Sequence, residues 1–364
     1  MLEGIRIIEI EGLGPGPFAG MMLADLGADM IVVHRKTADP VPGKAERNLL
    51  DRGKRSIALD LKDAGDVAVL KRLIAGAHGL IEGFRPGVME RLGLGPTELL
   101  AVQPRLVYGR MTGWGQSGPR SQQAGHDLNY IALSGAAWFA SPAGQPPFPP
   151  PTLVGDIGGG ALYLVAGLLA GILRAHRSGT GTVVDAAIVD GSAHMMNLLM
   201  SLRPAGPRAS DRGHGLLDGP HWSRCYACTD GGWISVQCLE PKFYAVFLEK
   251  LGLRDDPGFA RQFVPEAWPV LAGRLSGIFA AQPLACWVEL FAGSDACVAP
   301  VLSPEQAAED PHLAARGTWV AAEGGLQAGA APRFDGRLPD TPRASPSRGE
   351  HTAAILAELG ARPV

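Results

Sequence analysis

Ile5-Arg6-Ile7-Ile8-Glu9-Ile10, then Gly12-Leu13-Gly14-Pro15-Gly16-Pro17, then residues 18–26 and finally Met30-Ile31-Val32-Val33 open the chain as apolar run, Gly/Pro cluster, amphipathic stretch and apolar run. The two runs are rich in β-branched residues and read as buried strands, the Gly/Pro cluster as a turn, and 18–26 as a helix. Together they make one βαβ unit, whose strands must be parallel and whose helix must cover one face of a sheet. The alternation continues, with strands expected at 56–61, 79–82, 106–111 and 182–186 and helices at 65–77, 88–92 and 159–176. Arg177-Ser178-Gly179 stops the last of these, with basic residues at the negative end of the helix. The fold class is therefore α/β: a large Rossmann-like, doubly wound parallel-sheet domain.

Within the first unit, Gly14-x-Gly16-x-x-Ala19 overlaps the dinucleotide fingerprint. The overlap is weak, because two prolines crowd the turn and the second strand runs into His34-Arg35-Lys36 where an acidic residue should meet a ribose hydroxyl. Basic residues at that place suit a phosphorylated ribose, as in NADP or the 3′-phospho-ADP of coenzyme A. Beyond residue 195 the texture changes. Residues 196–222 read as a linker, and Cys225-Tyr226-Ala227-Cys228 with Trp233-Ile234-Ser235-Val236-Gln237 as a hairpin closed at Asp230-Gly231-Gly232. Helices at 241–252, 267–280 and 283–292 complete a smaller α+β domain. A Gly/Pro-rich stretch at 321–348 precedes a last helix at 349–360.

The 364 residues, 46% of them hydrophobic, suffice for two domains. A net charge of −3 and a pI near 6.3 describe no polyanion-binding surface, so nucleic acid is not an expected partner. The longest apolar run, 161–173, is too short to cross a bilayer, and no secretory signal precedes the first strand, so the expectation is a cytoplasmic protein with no membrane partner. Five cysteines make no disulfide framework, and Cys225-x-x-Cys228 lacks the second pair a metal site needs, so no metal is expected.

Chemistry is concentrated in Gly125-His126-Asp127-Leu128-Asn129-Tyr130 and Leu153-Val154-Gly155-Asp156-Ile157-Gly158-Gly159-Gly160. Each offers a proton-transfer group on a turn beside a helix, where open α/β sheets build their sites. Removing a proton next to a thioester carbonyl requires a base, donors for the enolate oxygen and, for inversion, an acid on the other face. His126 and Asp156 form such a pair, Asp127 adds a second carboxylate, and backbone N–H groups after His126 face the enolate oxygen. Either residue alone would more often be structural.

The chain also resembles the class III coenzyme A transferases and, within them, the 2-methylacyl-CoA racemases. The likeness rests on Gly12-Leu13-Gly14-Pro15-Gly16-Pro17, Asp25-Leu26-Gly27-Ala28-Asp29, Leu59-Asp60-Leu61-Lys62, Glu82-Gly83-Phe84-Arg85-Pro86-Gly87, Arg91-Leu92-Gly93-Leu94-Gly95-Pro96, Arg110-Met111-Thr112-Gly113-Trp114-Gly115-Gln116 and Ser294-Asp295-Ala296-Cys297. It implies an interlocked homodimer whose large domain is built from both ends of the chain, here 1–195 and 325–364, with 223–324 as the small domain. In the transferases the residue matching Asp156 is a covalent nucleophile, which remains the alternative. The small-domain string Val236-Gln237-Cys238-Leu239-Glu240-Pro241-Lys242-Phe243-Tyr244 lacks the transferases' glycine-rich loop and is similar to the racemase string.

The resemblance thus implies an isomerase that interconverts (2R)- and (2S)-2-methylacyl-CoA thioesters through an enolate. His126 and Asp156 would be its two bases, and Glu240 of the partner subunit would support His126. It further implies that Arg35 binds phosphate and that Leu59, Asp60, Lys62, Gly83, Phe84, Arg85, Arg91 and Gly125 contribute to binding the coenzyme A carrier, with Tyr130 facing the acyl pocket. No separate cofactor is implied, since coenzyme A is the substrate's carrier. Two departures stand out: His34-Arg35-Lys36 lacks the acidic residue and the proline that commonly flank the phosphate ligand. Trp222-Ser223-Arg224 replaces a Tyr-Asp pair expected to face the acyl group.

Overall fold

The computed structural model describes residues 1–37, 47–202, 211–322, 325–337, 340 and 342–360. They divide into two compact units, the first comprising Met1–Ala136, Pro150–Met196 and Ala308–Val364, the second Ala137–Pro149 and Asn197–Ala307.

The first unit holds a sheet of six parallel strands: β1 (Arg6–Ile10), β2 (Asp29–His34), β3 (Arg55–Ala58), β4 (Gly79–Glu82), β5 (Val107–Thr112) and β6 (Thr182–Ala187). Their order is β3-β2-β1-β4-β5-β6, the doubly wound arrangement with its switch point between β1 and β4. Helices α1 (Pro15–Asp25), α2 (Ala64–Ala75), α3 (Val88–Arg91), α4 (Pro96–Val102), α5 (Asp127–Ser134) and α6 (Leu162–Ser178) lie between the strands, and α7 (Ile188–Met195) follows β6. Side chains alternate across the sheet. Ile7, Met30, Ile81 and Val107 pack with α1 and α6 on one face. Ile8, Ile31, Ile57, Leu80 and Tyr108 pack on the other with α2 and with Ile355 and Leu359 near the chain's end. Both faces are buried, which is why the strands read as nearly continuous apolar runs.

Three elements differ from expectation. Helix α1 starts at Pro15, because proline is tolerated in a first helical turn, and Gly14 enters it at φ 66, a conformation that favours glycine. Strand β3 ends at Ala58; the expected strand residues 59–61 lie in a turn where Asp60 Oδ1 accepts the Lys62 amide at 3.0 Å. The long helix begins at Leu153, where a π-helical segment (Leu153–Ala161) runs directly into α6. The apolar helical stretch is thus 26 residues, long and apolar enough by composition to cross a membrane, instead of the thirteen-residue run. Its Leu164 and Leu168 are fully buried against the β5 position Gly109, where a Cβ would crowd them.

The second unit contains α8 (Asn197–Ser201) and an antiparallel sheet of β7 (Ser223–Ala227), β8 (Trp233–Gln237) and β9 (Val298–Pro300), with α9 (Pro241–Lys250), α10 (Trp268–Phe279) and α11 (Leu284–Phe291). Trp222, Tyr226, Phe247, Phe259 and Phe279 form its core. Trp222 is fully buried and donates to the Gln262 carbonyl at 3.0 Å, so it is a core residue and does not face an acyl group. The expected linker is also shorter than 196–222: α8 occupies its start, His221 and Trp222 are buried at its end, and residues 203–210 lie outside the described residues. Residues 137–149, expected in the large domain, join this unit, where Arg212 donates to Ser141 Oγ and to the Gln145 carbonyl. Short helices α12 (Pro304–Glu309) and α13 (Pro311–Ala315) lead back into the first unit from Ala308, earlier than residue 325, and β10 (Trp319–Ala322), β11 (Gly325–Ala328) and α14 (Thr352–Gly360) complete it.

Candidate active site

At the switch point the carboxyl ends of β1, β4 and β5 open into a cavity of about 380 Å³ lined by Gly12, Gly14, Pro15, Gly83, Thr112, Gly125, His126, Tyr130 and Asp156. Sequence positions thirty residues apart meet here because α5 and the π-helical segment both start at this edge. His126 is the N-cap of α5: its amide donates to Asn129 Oδ1 at 3.0 Å and its carbonyl accepts the Asn129 amide at 2.8 Å. Tyr130, one turn on, is buried, packs edge-on against Trp114 at 4.7 Å and donates its hydroxyl to the Gly125 carbonyl. That hydrogen bond holds the backbone just before His126, whose imidazole stays exposed. Gly113 is needed for this packing, since a Cβ there would overlap the Tyr130 ring at 1.9 Å.

Asp156 is fixed from below. Its amide donates to Asp127 Oδ1 at 2.9 Å, an approach that Gly155 permits, because a Cβ there would lie 2.3 Å from the same oxygen. The π-helical winding is visible in the Ile157 amide, which reaches back to the Thr152 carbonyl at 3.0 Å, and Thr152 itself takes φ 61. Such segments are frequent at functional sites. Burial, followed by the neighbouring Asp127 charge, pushes the Asp156 carboxyl up to about 6, against an opposing pull from His126. A Cβ at Gly14 would stand 3.3 Å from Asp156 Oδ2. The glycine turn that overlaps the dinucleotide fingerprint thus faces a carboxylate of its own chain.

Two further cavities adjoin the first. One, about 260 Å³, is lined by Phe84, Arg85, Trp114 and Gln123 and shares Gly83, Gly125, His126 and Tyr130 with it. The other, about 600 Å³, is lined by Arg35, Lys36, Leu59, Asp60, Lys62 and Phe84 and shares Ile10 with it. Arg91 lies outside these linings, with its guanidinium beside Gly87. The turn that carries Gly83, Phe84 and Arg85 is held by an ion network that the sequence reading missed. Glu82, almost fully buried, accepts Arg110 Nε at 2.9 Å and the Phe84 amide at 2.8 Å, and Arg110 also donates to Glu90 at 2.8 Å. At the Arg35 end, Glu11 accepts both the Arg35 amide (2.9 Å) and the Arg348 guanidinium (2.7 and 2.8 Å). Burial would raise Glu11, but these hydrogen bonds outweigh it and bring the carboxyl to about 2. An acid from the adjacent strand end therefore stands where His34-Arg35-Lys36 carries none.

Glu240 belongs to the second unit, where it is the exposed N-cap of α9 and its carbonyl accepts the Tyr244 amide. Its charge acts on Cys297, whose thiol is raised first by burial and then by Glu240.

Residues 2–352 match CoA-transferase family III. The chain belongs to that family. Among its relatives, the alpha-methylacyl-CoA racemase of Mus musculus is 41% identical over 99% of this chain and 93% of its own length. The alpha-methylacyl-CoA racemase of Homo sapiens is 38% identical over the same shares. A crystal structure of a CAIB/BAIF family protein from Brucella suis superposes with a TM-score of 0.79 at 25% identity, covering 98% of each chain. Family III membership accounts for the doubly wound unit and for the strings that meet at the switch point.

Proposed function

We propose that this protein is a racemase or epimerase of 2-methyl-branched acyl-CoA thioesters. The observation that carries the reading is the placement of His126 and Asp156 on one cavity, with the Asp156 carboxyl held near 6 by burial and by Asp127. The racemase names borne by the mouse and human relatives support it. In the reaction the Asp156 carboxylate takes the α-proton, the C–H electron pair moves into the thioester to give an enolate, and His126 as imidazolium returns a proton to the opposite face. The other epimer follows the reverse path, so the pair shares one proton between turnovers. A carboxyl near 6 suits this work, since proton transfer is most effective when the catalytic pKa lies near the operating pH.

The amides of Asp127 and Leu128, at the start of α5, face the developing oxyanion. The large cavity with Arg35, Lys36 and Lys62 takes the nucleotide of coenzyme A, and Gly83–Arg85 the pantetheine arm. Coenzyme A is thereby the carrier of the substrate. The proposal includes a homodimer in which Glu240 of the partner subunit supports His126, and a cytoplasmic location.

The test is incubation with one epimer of a 2-methylacyl-CoA in deuterium oxide, following the α-proton by NMR together with optical rotation. Deuterium entry with loss of rotation, lowered at least ~100-fold in His126→Ala, is the expected result. Transfer of coenzyme A to an added carboxylic acid, with an aspartyl hydroxamate trapped at Asp156 by hydroxylamine, would overturn it in favour of a covalent transferase.

A further inference from the structure

Beneath α1 lies a cluster of charged side chains that takes no part in the chemistry above. Lys54 is fully buried, and its ammonium donates to Glu9 Oε2 at 2.7 Å, to the Pro17 carbonyl at 3.1 Å and to Asp51 Oδ1 at 3.3 Å, so all three protons are used. Glu9 and Asp51 are 1% and 7% exposed at their side chains. Asp51 Oδ2 lies 3.4 Å from His34 Nε2, and the other ring nitrogen of His34 is 2.7 Å from Ser56 Oγ. Gly20 is what lets Glu9 reach in, because a Cβ there would meet Glu9 Oε2 at 1.9 Å.

Stability does not explain this cluster. A buried ion network gains little over an apolar packing of the same volume, and here Glu9 Oε1 is buried with no hydrogen-bond partner among the described residues. What the charges add is geometry. One end of the network is Pro17, in the first turn of α1, on the loop whose Gly14 faces Asp156. The other end is His34, which lines the cavity of Arg35 and Lys62.

We propose that Lys54 is a positioning residue: its three hydrogen bonds fix the first turn of α1, and with it the Gly12–Pro17 wall of the cavity opposite Asp156. The effect on turnover rests on the racemase reading, while the effect on α1 does not. Removing Lys54 alone would strand Glu9 and Asp51, so the variant to make is Glu9→Gln/Lys54→Met, which removes one charge of each sign and leaves Asp51 facing His34.

Two readouts decide. Hydrogen exchange of the unliganded protein should quicken at least tenfold at the α1 amides 18–21 in the double variant and stay unchanged in β2 and β5. The turnover number for α-deuterium exchange should fall on the order of 10–100-fold, the cost of misplacing a wall by about an ångström, with KM for the acyl-CoA within a factor of about two. Unchanged exchange at 18–21, or faster exchange throughout the first unit with kcat and KM altered together, overturns the proposal. If the wild type exchanges no α-proton, the racemase reading fails, and the amide exchange at 18–21 alone decides the role of Lys54.

Discussion

Replacing Asp156 by asparagine should make the protein more stable and nearly inactive at once. The Asp156 carboxyl titrates near 6 in the folded chain against an ordinary value of 3.8, first because it is partly buried and then because Asp127 stands beside it. The folded value lies above the unfolded one, so ionisation is harder in the folded state. The resulting cost to stability is absent below about 4, where both states hold the proton. It grows as pH rises from 4 to 6, and is complete above 6. At ~1.4 kcal/mol per unit the raw figure is ~3 kcal/mol, and solvent screening at a half-open site reduces it to roughly 1–1.5 kcal/mol. Asp156→Asn keeps the shape and removes the charge, so the melting temperature should rise by roughly 2–5 °C at pH 8 and by almost nothing at pH 4. Scanning calorimetry of both proteins at the two pH values reads this directly, beside a fall in α-proton exchange of at least ~100-fold. A variant no more stable than wild type at pH 8, or equally stabilised at pH 4, would show that Asp156 carries no such cost and that the reasoning is wrong.

Asp127→Asn keeps an oxygen for the Asp156 amide but removes the charge that helps raise Asp156. With the epimer whose proton Asp156 takes, the acidic limb of kcat/KM, expected near 6, should move to lower pH, and an unmoved limb would exclude Asp127 from tuning it. Gly155→Ala places a methyl 2.3 Å from Asp127 Oδ1 and 2.8 Å from Ile131 Cγ2. It should cost ~1–3 kcal/mol in denaturant unfolding and reduce turnover, whereas full activity would mean that Asp127 need not approach so closely. Arg110→Met leaves Glu82 buried without its cation. The expected loss is ~3–5 kcal/mol of stability with a raised KM for acyl-CoA, and a normal KM in folded protein would separate the Glu82 network from the turn that carries Arg85.

The doubly wound sheet was legible because β1 and β2 are apolar, β-branched runs either side of a Gly/Pro turn and a helix, and the same alternation of short apolar runs and helices continues along the chain. What stayed hidden has local physical causes. The seven residues of α4 are too short to display a helical period, and Gly158-Gly159-Gly160 masks the start of the helix at Leu153, where glycine serves tight packing: a Cβ at Gly159 would overlap Ser192. Trp222 looks like a site residue in a Gly/Pro-rich stretch, yet it is the buried end of that stretch. His126 and Asp156 could be picked out because both sit on glycine-flanked turns before helices. Their supports could not, since Glu82 with Arg110 and Glu9 with Lys54 pair across 28 and 45 positions, distances at which no spacing rule operates.

The same supports bear on the choice between the two chemistries open to an aspartate in this fold. The raised pKa of Asp156 does not by itself choose between them, because base and nucleophile are both the ionised carboxylate, with Asp127 beside it and both partly buried. A general base for a weakly acidic carbon gains from that increase in basicity. A transferase has no use for a second acid across the cavity, whereas inversion requires one, and Asn129 and Tyr130 hold the backbone of His126 in that place. The arrangement makes sense as a proton-transfer pair whose two members are fixed by different elements, α5 for His126 and the π-helical segment for Asp156. Loss of either support should therefore weaken turnover while leaving the affinity for coenzyme A itself, for which we propose the cavity at the ends of β1 and β2, the turn after β3 and the Glu82 turn, close to that of the wild type.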